Sequence, residues 1–218
     1  MYVERVARPM ATYRLTILPG DGTGPEVMTE GEKMLAVIEQ YTGLAFEKTT
    51  IPCGGKHWLD TGEEWPEGSF EHCRDNTDAI LLGAIGWPGA VLPNGDLAGG
   101  QVILGLRSGL DLYANVRPIK LYDGVLHKIH DEFTQVWEPA KVDMLVLREN
   151  TEGLYHSLLR RSAQRAQGIE EMEDPEIEFD GLSGEVAWDP RPISRKGSDR
   201  LIRLGFEYSR RRNGSPGD

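Results

Sequence analysis

The sequence has few of the features that define disulfide-rich, zinc-binding or membrane proteins. Its 218 residues include two cysteines, Cys53 and Cys73, which are too few for a disulfide framework and whose spacing fits no zinc pattern. The five histidines form no metal-ligand pattern. No apolar run approaches the ~18 residues needed to span a membrane, and residues 1–12 lack the apolar segment of a secretory signal. We therefore expect a cytoplasmic protein with reduced thiols and no membrane partner.

The chain also lacks a surplus of positive charge. Its net charge of −11 argues against a nucleic-acid partner, because neutralising phosphates needs a basic surface. An anionic substrate is still allowed, since a few local arginines can outweigh the overall field. Hydrophobic content of 39% and charged content of 27% are typical of a soluble globular protein.

The first quarter of the chain predicts an α/β fold. After a loose leader over residues 1–12, a short apolar strand at 13–18 runs into the glycine-rich turn at 19–26. Helical spacing of apolar residues then begins near Pro25 and continues to about Tyr41, and a second strand follows at 44–51. Strand, glycine turn, helix and strand in this order are typical of a parallel sheet.

The later elements are shorter. We expect helices at 55–61 and 67–74, a buried strand at 78–83, a long surface loop at 83–100, a helix at 102–110, an extended segment at 112–121 and a buried strand at 142–147. The acidic segment 157–193 alternates polar and apolar residues, which favours a β-hairpin arm that needs a partner. A last helix, capped by Ser194, is expected at about 196–212, with an apolar face of Leu201, Leu204, Phe206 and Tyr208.

Three arginines at the borders of apolar stretches indicate a site for a carboxylic acid. Arg107, Arg117 and Arg148 each offer a planar fork of donors that matches a carboxylate, and Tyr155 follows the third closely. Taken singly, each could equally be an ordinary surface arginine, and Tyr155 a packed aromatic. We expect Glu149 and Glu152 to be solvated or capping carboxylates.

The glycine turn could serve a bound anion or be a plain tight turn. Glycines between a strand and a helix allow close approach of the backbone, and a helix N-terminus favours negative charge. The spacing of Gly20, Gly22 and Gly24 differs from the dinucleotide fingerprint, and the turn lacks the lysine of a phosphate loop.

With these residues in view, the chain resembles the β-decarboxylating dehydrogenases, the isocitrate/3-isopropylmalate/tartrate dehydrogenase family. The resemblance rests on LPGDGTGPEV at 18–27, AILLGAIGWP at 79–88, LRSGLDLYANVRP at 106–118, VLRENTEGLY at 146–155 and the helix at 193–212. It implies an isopropylmalate-dehydrogenase-like fold with two domains, here 1–100 for the first part of the large α/β domain and 101–218 for the small substrate and dimerisation domain.

The resemblance also implies a reaction and roles for residues. Such enzymes oxidise a 2-hydroxy diacid by hydride transfer to NAD, or NADP in some members, and then release carbon dioxide with the help of Mg²⁺ or Mn²⁺. By position, Arg107, Arg117 and Arg148 would hold the substrate carboxylates and Tyr155 would assist protonation of the enol. The residues expected beside the cofactor are Asp21, Thr23, Gly83, Ala84, Ile85 and Gly86.

Substrate choice is expected to depend on the helix before Arg107. Isocitrate enzymes of this family carry a serine and an asparagine six and four residues before that arginine, where this chain has Gln101 and Ile103. Isopropylmalate enzymes carry a glutamate seven residues before it, where this chain has Gly100. Because Ile103 is apolar, we expect isopropylmalate first and tartrate or malate second.

The family pattern continues beyond the last helix with a catalytic lysine and metal-binding aspartates that this sequence lacks. We therefore expect an incomplete C-terminus and a chain that is inactive alone, paired through the arm at 157–193 in a homodimer or with a full-length paralogue. The alternative is a non-catalytic subunit that binds an organic acid or regulates such a paralogue. A phosphate-binding module built on the glycine turn is a poor third reading, since its lysine is missing.

Overall fold

The computed structural model describes residues 11–158 and 191–213. These residues divide into two compact units, the first covering residues 11–110 and the second covering residues 111–158 and 191–213. The helix that the sequence predicts at the start of the second domain belongs to the first unit. The assignment of 1–100 and 101–218 to two domains stays a prediction.

A three-stranded parallel sheet forms the centre of the first unit. Its strand order is β2-β1-β3, with β1 at Ala11–Leu18, β2 at Leu44–Thr50 and β3 at Ala79–Leu82. The helices are α1 (Gly24–Tyr41), α2 (Gly55–Thr61), α3 (Ser69–Asp75) and α4 (Gly100–Gly109). The βαβ prediction is confirmed, although β1 begins at Ala11, so residues 11 and 12 are strand and not leader.

Strand β1 lies between β2 and β3, and both of its faces are covered. Ile17 packs with Met28 of α1 on one face, whereas Leu18 packs on the other with Cys53, Cys73 and residues of α4. Ile17 and Leu18 have no exposed surface. Leu15, Ile17 and Leu18 supply the apolar side chains that a strand buried on both faces requires, and the one buried polar residue among them, Thr16, pairs its hydroxyl with that of Thr77.

The prediction of a buried third strand is wrong at both of its ends. Ala79 and Leu82 of β3 are exposed, and Leu82 keeps 39% of its surface accessible. Among the described strands β3 pairs only with β1, so it lies at an edge of this sheet. The loop predicted after it is confirmed, with one isolated bridge between Val91 and Leu97, and it buries Ala90 and Ala98.

The second unit is built on two short antiparallel sheets. Strand β4 (Ala114–Lys120) pairs with β7 (Asp143–Glu149), and β5 (His127–Ile129) forms a hairpin with β6 (Glu132–Thr134). A 3₁₀ turn covers Pro139–Lys141. Helix α5 begins at residue 154 and is described to residue 158, and α6 covers Arg195–Asn213. The hairpin arm predicted at 157–193 falls almost entirely outside the described residues, since only 157–158 and 191–193 belong to them.

Two expectations about burial in this unit are wrong. Strand β7 was expected to be buried, yet Met144 and Val146 keep 48% and 42% of their surface exposed. Helix α6 packs on the opposite face of β7, where Gly205 lies against Leu147, and no described element covers Met144 and Val146. Phe206 was expected on the apolar face of α6 but is 74% exposed.

None of the helices in residues 11–158 and 191–213 combines the length and apolar character that crossing a membrane requires.

Candidate functional site

Two of the three predicted arginines project from the same face of the β4–β7 sheet. The register places Asn115 opposite Arg148 and Arg117 opposite Val146. Residues directly opposite each other, and residues two apart on one strand, share a face, so Arg117 and Arg148 are diagonal neighbours about 7–8 Å apart at the backbone. Arg117 Nε donates to Asn115 Oδ1 at 3.1 Å, which directs its guanidinium along this face.

Arg148 and Tyr155 are in direct contact. Arg148 Nη2 donates to the Tyr155 hydroxyl oxygen at 2.6 Å, and the guanidinium carbon lies 4.9 Å from the centre of the tyrosine ring. The same Nη2 lies 3.3 Å from Asn150 Oδ1. These contacts fix both the plane of the guanidinium and the direction of the tyrosine hydroxyl.

Asn150 anchors this arrangement to the backbone and was not predicted from the sequence. It is buried, its Nδ2 donates to the carbonyl of Leu112 at 3.2 Å, and its amide donates to the carbonyl of Tyr113 at 2.9 Å. The Arg148 Nε atom is buried and has no hydrogen-bond partner among the described residues. A cleft of about 450 Å³ opens beside Arg148 and Tyr155, with a largely apolar lining that includes Leu154, Ile193 and Leu201.

Glu149 and Arg200 form an ion pair at the end of β7 that sequence reasoning missed. Arg200 Nη2 lies 3.2 Å from Glu149 Oε1, its Nη1 lies 2.8 Å from Asp111 Oδ1, and its guanidinium carbon lies 4.4 Å from the ring centre of Tyr113. Arg200 is 89 residues from Asp111 in the chain, so no local pattern could have revealed the contact.

The Glu149 carboxylate also organises the turn that follows β7. It accepts hydrogen bonds from the hydroxyl and amide of Thr151 and from the amide of Glu152. Burial alone would raise the pKa of Glu149, but these hydrogen bonds, together with the one from Arg200, outweigh burial and hold the pKa below its usual value. Glu149, expected to be solvated or capping, is instead a partly buried carboxylate that binds the turn after β7 and pairs with Arg200.

Glu152 joins the start of α6 to the turn after β7. Its carboxylate accepts from the amide of Ser194 at 2.8 Å and from the Ser194 hydroxyl at 2.5 Å. The Ser194 hydroxyl oxygen in turn accepts from the amide of Gly197 at 3.0 Å, which confirms the predicted N-cap. A Cβ on Gly197 would lie 2.5 Å from the Glu152 carboxylate, so a larger residue here would displace that side chain.

In the first unit, Asp21 lies at the centre of the glycine turn and is buried. Its Oδ2 accepts from the amides of Gly55 at 2.8 Å and Gly86 at 3.0 Å, and its Oδ1 accepts from the amide of Lys56 at 2.8 Å. The carboxylate thereby joins the turn, the start of α2 and the loop after β3. Its observed partners are backbone amides, and its predicted place beside a cofactor stays a prediction.

The other residues predicted to contact a cofactor lie around the same junction. Thr23, Ala84 and Gly86 are exposed, whereas Gly83 and Ile85 are half-buried. A Cβ on Gly83 would overlap the carbonyl of Pro19, so this glycine is needed for packing of the two loops. Thr23, Ala84 and Gly86 thus form an exposed surface, although the Ala84 carbonyl and the Gly86 amide are already hydrogen-bonded to Asp21.

Arg107 and Ile103 belong to α4 of the first unit and are both half-buried. They are four residues apart and therefore lie on one side of the helix. Arg107 occupies the last turn of α4, where a positive charge complements the helix dipole.

The described residues contain no cluster of side chains that could bind the metal implied by the resemblance. Among residues 11–158 and 191–213 no group of three or more His, Cys, Asp or Glu side chains could hold a metal ion. The described residues therefore do not fit a divalent metal, and no step is assigned to one.

Comparison with known proteins identifies the family. The family model for isocitrate/isopropylmalate dehydrogenase matches residues 14–216. The 3-isopropylmalate dehydrogenase of Thermobifida fusca is 35% identical over 198 residues, a match that covers 89% of this chain and 48% of that protein. That of Saccharopolyspora erythraea is 42% identical over 142 residues, covering 65% of this chain and 37% of that protein. The chain spans about half the length of most of these relatives.

Solved structures give the same result. An isocitrate dehydrogenase from Methylococcus capsulatus matches with a TM-score of 0.61 and 27% identity, covering 91% of this chain and 48% of that one. A β-decarboxylating dehydrogenase from Thermococcus kodakarensis matches with a TM-score of 0.57 and 28% identity, covering 92% of this chain and 46% of that one. These matches agree, and the chain belongs to the isocitrate/isopropylmalate dehydrogenase family.

Proposed function

We propose that the chain contributes the substrate-binding residues of an NAD-dependent enzyme that oxidatively decarboxylates a 2-hydroxy diacid. The observation that carries the proposal is the shared face of Arg117 and Arg148, with Tyr155 in contact with Arg148. Two guanidinium groups side by side match two carboxylates, or one carboxylate held from two directions. Isopropylmalate is the first candidate, because relatives with this name match most of the chain, and tartrate or malate is the second.

Each predicted residue receives a role in this proposal. Arg117 and Arg148 bind substrate carboxylates, and Arg107 binds a carboxylate from α4. Ile103 contacts the apolar side chain of the substrate. Tyr155, oriented by Arg148, delivers a proton to the carbon that loses carbon dioxide.

The residues expected at the cofactor surface would hold NAD, and the chemistry that NAD would supply there is an acceptor for the hydride of the hydroxyl-bearing carbon. The exposed residues Thr23, Ala84 and Gly86 would lie against NAD together with Gly83 and Ile85, and Asp21 holds the two loops together. Residues of this chain thus supply a surface for the cofactor and, through Asp21, the rigidity of that surface.

We further propose that the segment 157–193 pairs this chain with a second copy or with a full-length paralogue. Support comes from the two ends of the segment, which are held together. The amide of Gly153 donates to the carbonyl of Pro192 at 2.9 Å, and Glu152 binds Ser194. Sedimentation equilibrium at micromolar concentration tests this, and a monomer at all concentrations would contradict self-pairing.

The binding part of the proposal is tested by calorimetric titration of the 218-residue chain. Isopropylmalate, tartrate, malate and isocitrate are compared in the wild type and in Arg117→Gln and Arg148→Gln. A hydrogen bond to a charged group contributes about 1.5–3 kcal/mol, so each variant should bind about tenfold to hundredfold more weakly. Arg74→Gln, at an exposed arginine paired with Asp75, is the matched control. Equal affinities in all four proteins would contradict the proposed site.

A further inference from the structure

The carboxylate of Glu64 lies at the N-terminus of α4 and satisfies its first amides. Glu64 Oε1 accepts a hydrogen bond from the amide of Gly99 and lies 3.3 Å from the amide of Gln101. The backbone of Glu64 is itself held in place, since its carbonyl accepts from the amide of Gly54 at 2.8 Å. Glu64 comes from the turn after α2, so it reaches α4 from a segment 35 residues earlier in the chain.

This end of the helix is therefore negative. A helix N-terminus carries about half a positive charge, and one carboxylate more than cancels it. The pKa of Glu64 is raised above its usual value, because burial and the nearby negative charge of Asp96 outweigh the hydrogen bonds from Gly99 and Gln101. The carboxylates of Glu64 and Asp96 thus both contribute negative electrostatic potential at the start of α4.

The same end of α4 leads directly to the residues proposed to contact the substrate. Gly100, Ile103 and Arg107 follow one another at spacings of three and four residues, which places them in one stripe along the helix. With a rise of about 1.5 Å per residue, Ile103 lies about 6 Å from Arg107 and Gly100 about 10 Å from it. A ligand held by Arg107 and extending along the stripe past Ile103 would approach Gly100, whose two chain neighbours donate their amides to the Glu64 carboxylate.

We propose that Glu64 is a specificity-determining residue that excludes substrates with a third carboxylate. This inference rests on the proposed function, because it requires Arg107 to bind a substrate carboxylate. An apolar substituent lies against Ile103 without reaching the negative charge, whereas a carboxylate in the same place is repelled by Glu64. Glu64 already occupies the amides of Gly99 and Gln101, which therefore offer such a carboxylate no hydrogen bonds.

The test compares a tricarboxylate with a dicarboxylate on the same protein. Dissociation constants for isocitrate and isopropylmalate are measured by calorimetry with the 218-residue chain in its wild-type form and as Glu64→Gln. Glutamine keeps an oxygen for the amide of Gly99 and removes the charge. Like charges about 8 Å apart near a protein surface repel enough that the ratio of the two constants should shift about fourfold to tenfold towards isocitrate. The shift should shrink in 0.5 M salt, which a purely structural effect would not do.

The neighbouring Glu63 provides the matched control. Glu63→Gln makes the same change in net charge but at an exposed side chain. The ratio of the two dissociation constants in this variant should therefore stay within twofold of the wild-type ratio. A second variant, Gln101→Lys, adds a positive charge at an exposed position beside Glu64 and should shift the ratio in the same direction as Glu64→Gln.

The outcomes separate this inference from the function on which it rests. If isopropylmalate binds and the ratio is unchanged in both Glu64→Gln and Gln101→Lys, Glu64 does not select the substrate and the inference is overturned while the proposed function stands. If the wild type binds neither acid, the proposed function and this inference are both overturned. Circular dichroism of each variant checks that α4 and the surrounding unit remain folded.

Discussion

Replacing Asp21 by alanine should destabilise the first unit strongly, because three backbone amides, one in a buried residue and two at partly buried hydrogen bonds, would lose their acceptor. These amides belong to Gly55, Lys56 and Gly86, at 2.8–3.0 Å from the carboxylate. Leaving a buried donor without a partner costs about 1–3 kcal/mol each, and partial access of water to the exposed Gly86 reduces the sum. We expect a loss of about 3–5 kcal/mol in the free energy of unfolding.

Asparagine at the same position should cost less. Its single side-chain oxygen can accept the two amides now bound to Oδ2, whereas its NH₂ group would face the amide of Lys56 as a second donor. The charge is lost as well, so Asp21→Asn should cost about 2 kcal/mol. The free energy of unfolding should therefore rise from Asp21→Ala to Asp21→Asn to the wild type, and this order is a stricter expectation than either value alone.

Urea unfolding followed by circular dichroism measures these differences. With a slope of about 2 kcal/mol per molar urea, Asp21→Ala should lower the midpoint by about 2 M. Asp60→Asn, which removes an exposed partner of Lys56 on the same helix, is the control and should change stability by less than about 0.5 kcal/mol. If Asp21→Ala unfolds within 1 kcal/mol of the wild type while NAD affinity falls, Asp21 is a cofactor ligand and not the structural anchor described above.

Three further expectations concern the remaining buried groups. Arg200→Ala should cost about 2–3 kcal/mol, because it leaves Glu149 without its guanidinium, whereas Arg203→Ala at an exposed position of α6 should cost less than about 0.5 kcal/mol in the same urea assay. The folded-state pKa of Glu149 is lowered, so its contribution is present above the unfolded pKa and is lost as the pH falls through the folded pKa. Glu149→Gln should therefore have a flatter stability profile between pH 7 and pH 3, and parallel profiles would contradict this. The Cys53 thiol, whose pKa burial raises to about 11, should react with iodoacetamide at pH 8 about a hundredfold more slowly in the folded chain than in urea, as followed by mass spectrometry; similar rates would refute its burial.

The elements of the first unit could be predicted because their signals are local. Pro25 marks the start of α1, and the apolar run in β1 marks a central strand, so the βαβ order follows from residues close together in the chain. Arg117 and Arg148 could be singled out in the same way, from their positions beside apolar stretches. Their shared face, in contrast, depends on the pairing of β4 with β7, which no local pattern sets.

An unusual local turn, contacts between distant residues and exposed apolar side chains account for what was missed. The β5–β6 hairpin turns at His130 and Asp131, which both have positive φ, whereas the usual signal for such a turn is Asn-Gly or Asp-Gly. Asp21 lies in a turn whose glycines suggested a ligand, but its partners come from segments 34 to 65 residues away. The exposure of Met144 and Phe206 could not be foreseen, because their apolar character alone predicts burial.

The central claim, that Arg148 grips a substrate carboxylate, can be tested directly by NMR of the arginine side chains. Its Nε–H group has no partner among the described residues and lies in the guanidinium that also contacts Tyr155, so its resonance reports any anion bound there. We predict that titration of the 218-residue chain with isopropylmalate shifts the Nε–H signals of Arg117 and Arg148 with one common dissociation constant, and leaves that of Arg74 unchanged. Saturation of isopropylmalate binding with no movement of the Arg148 signal would contradict the account.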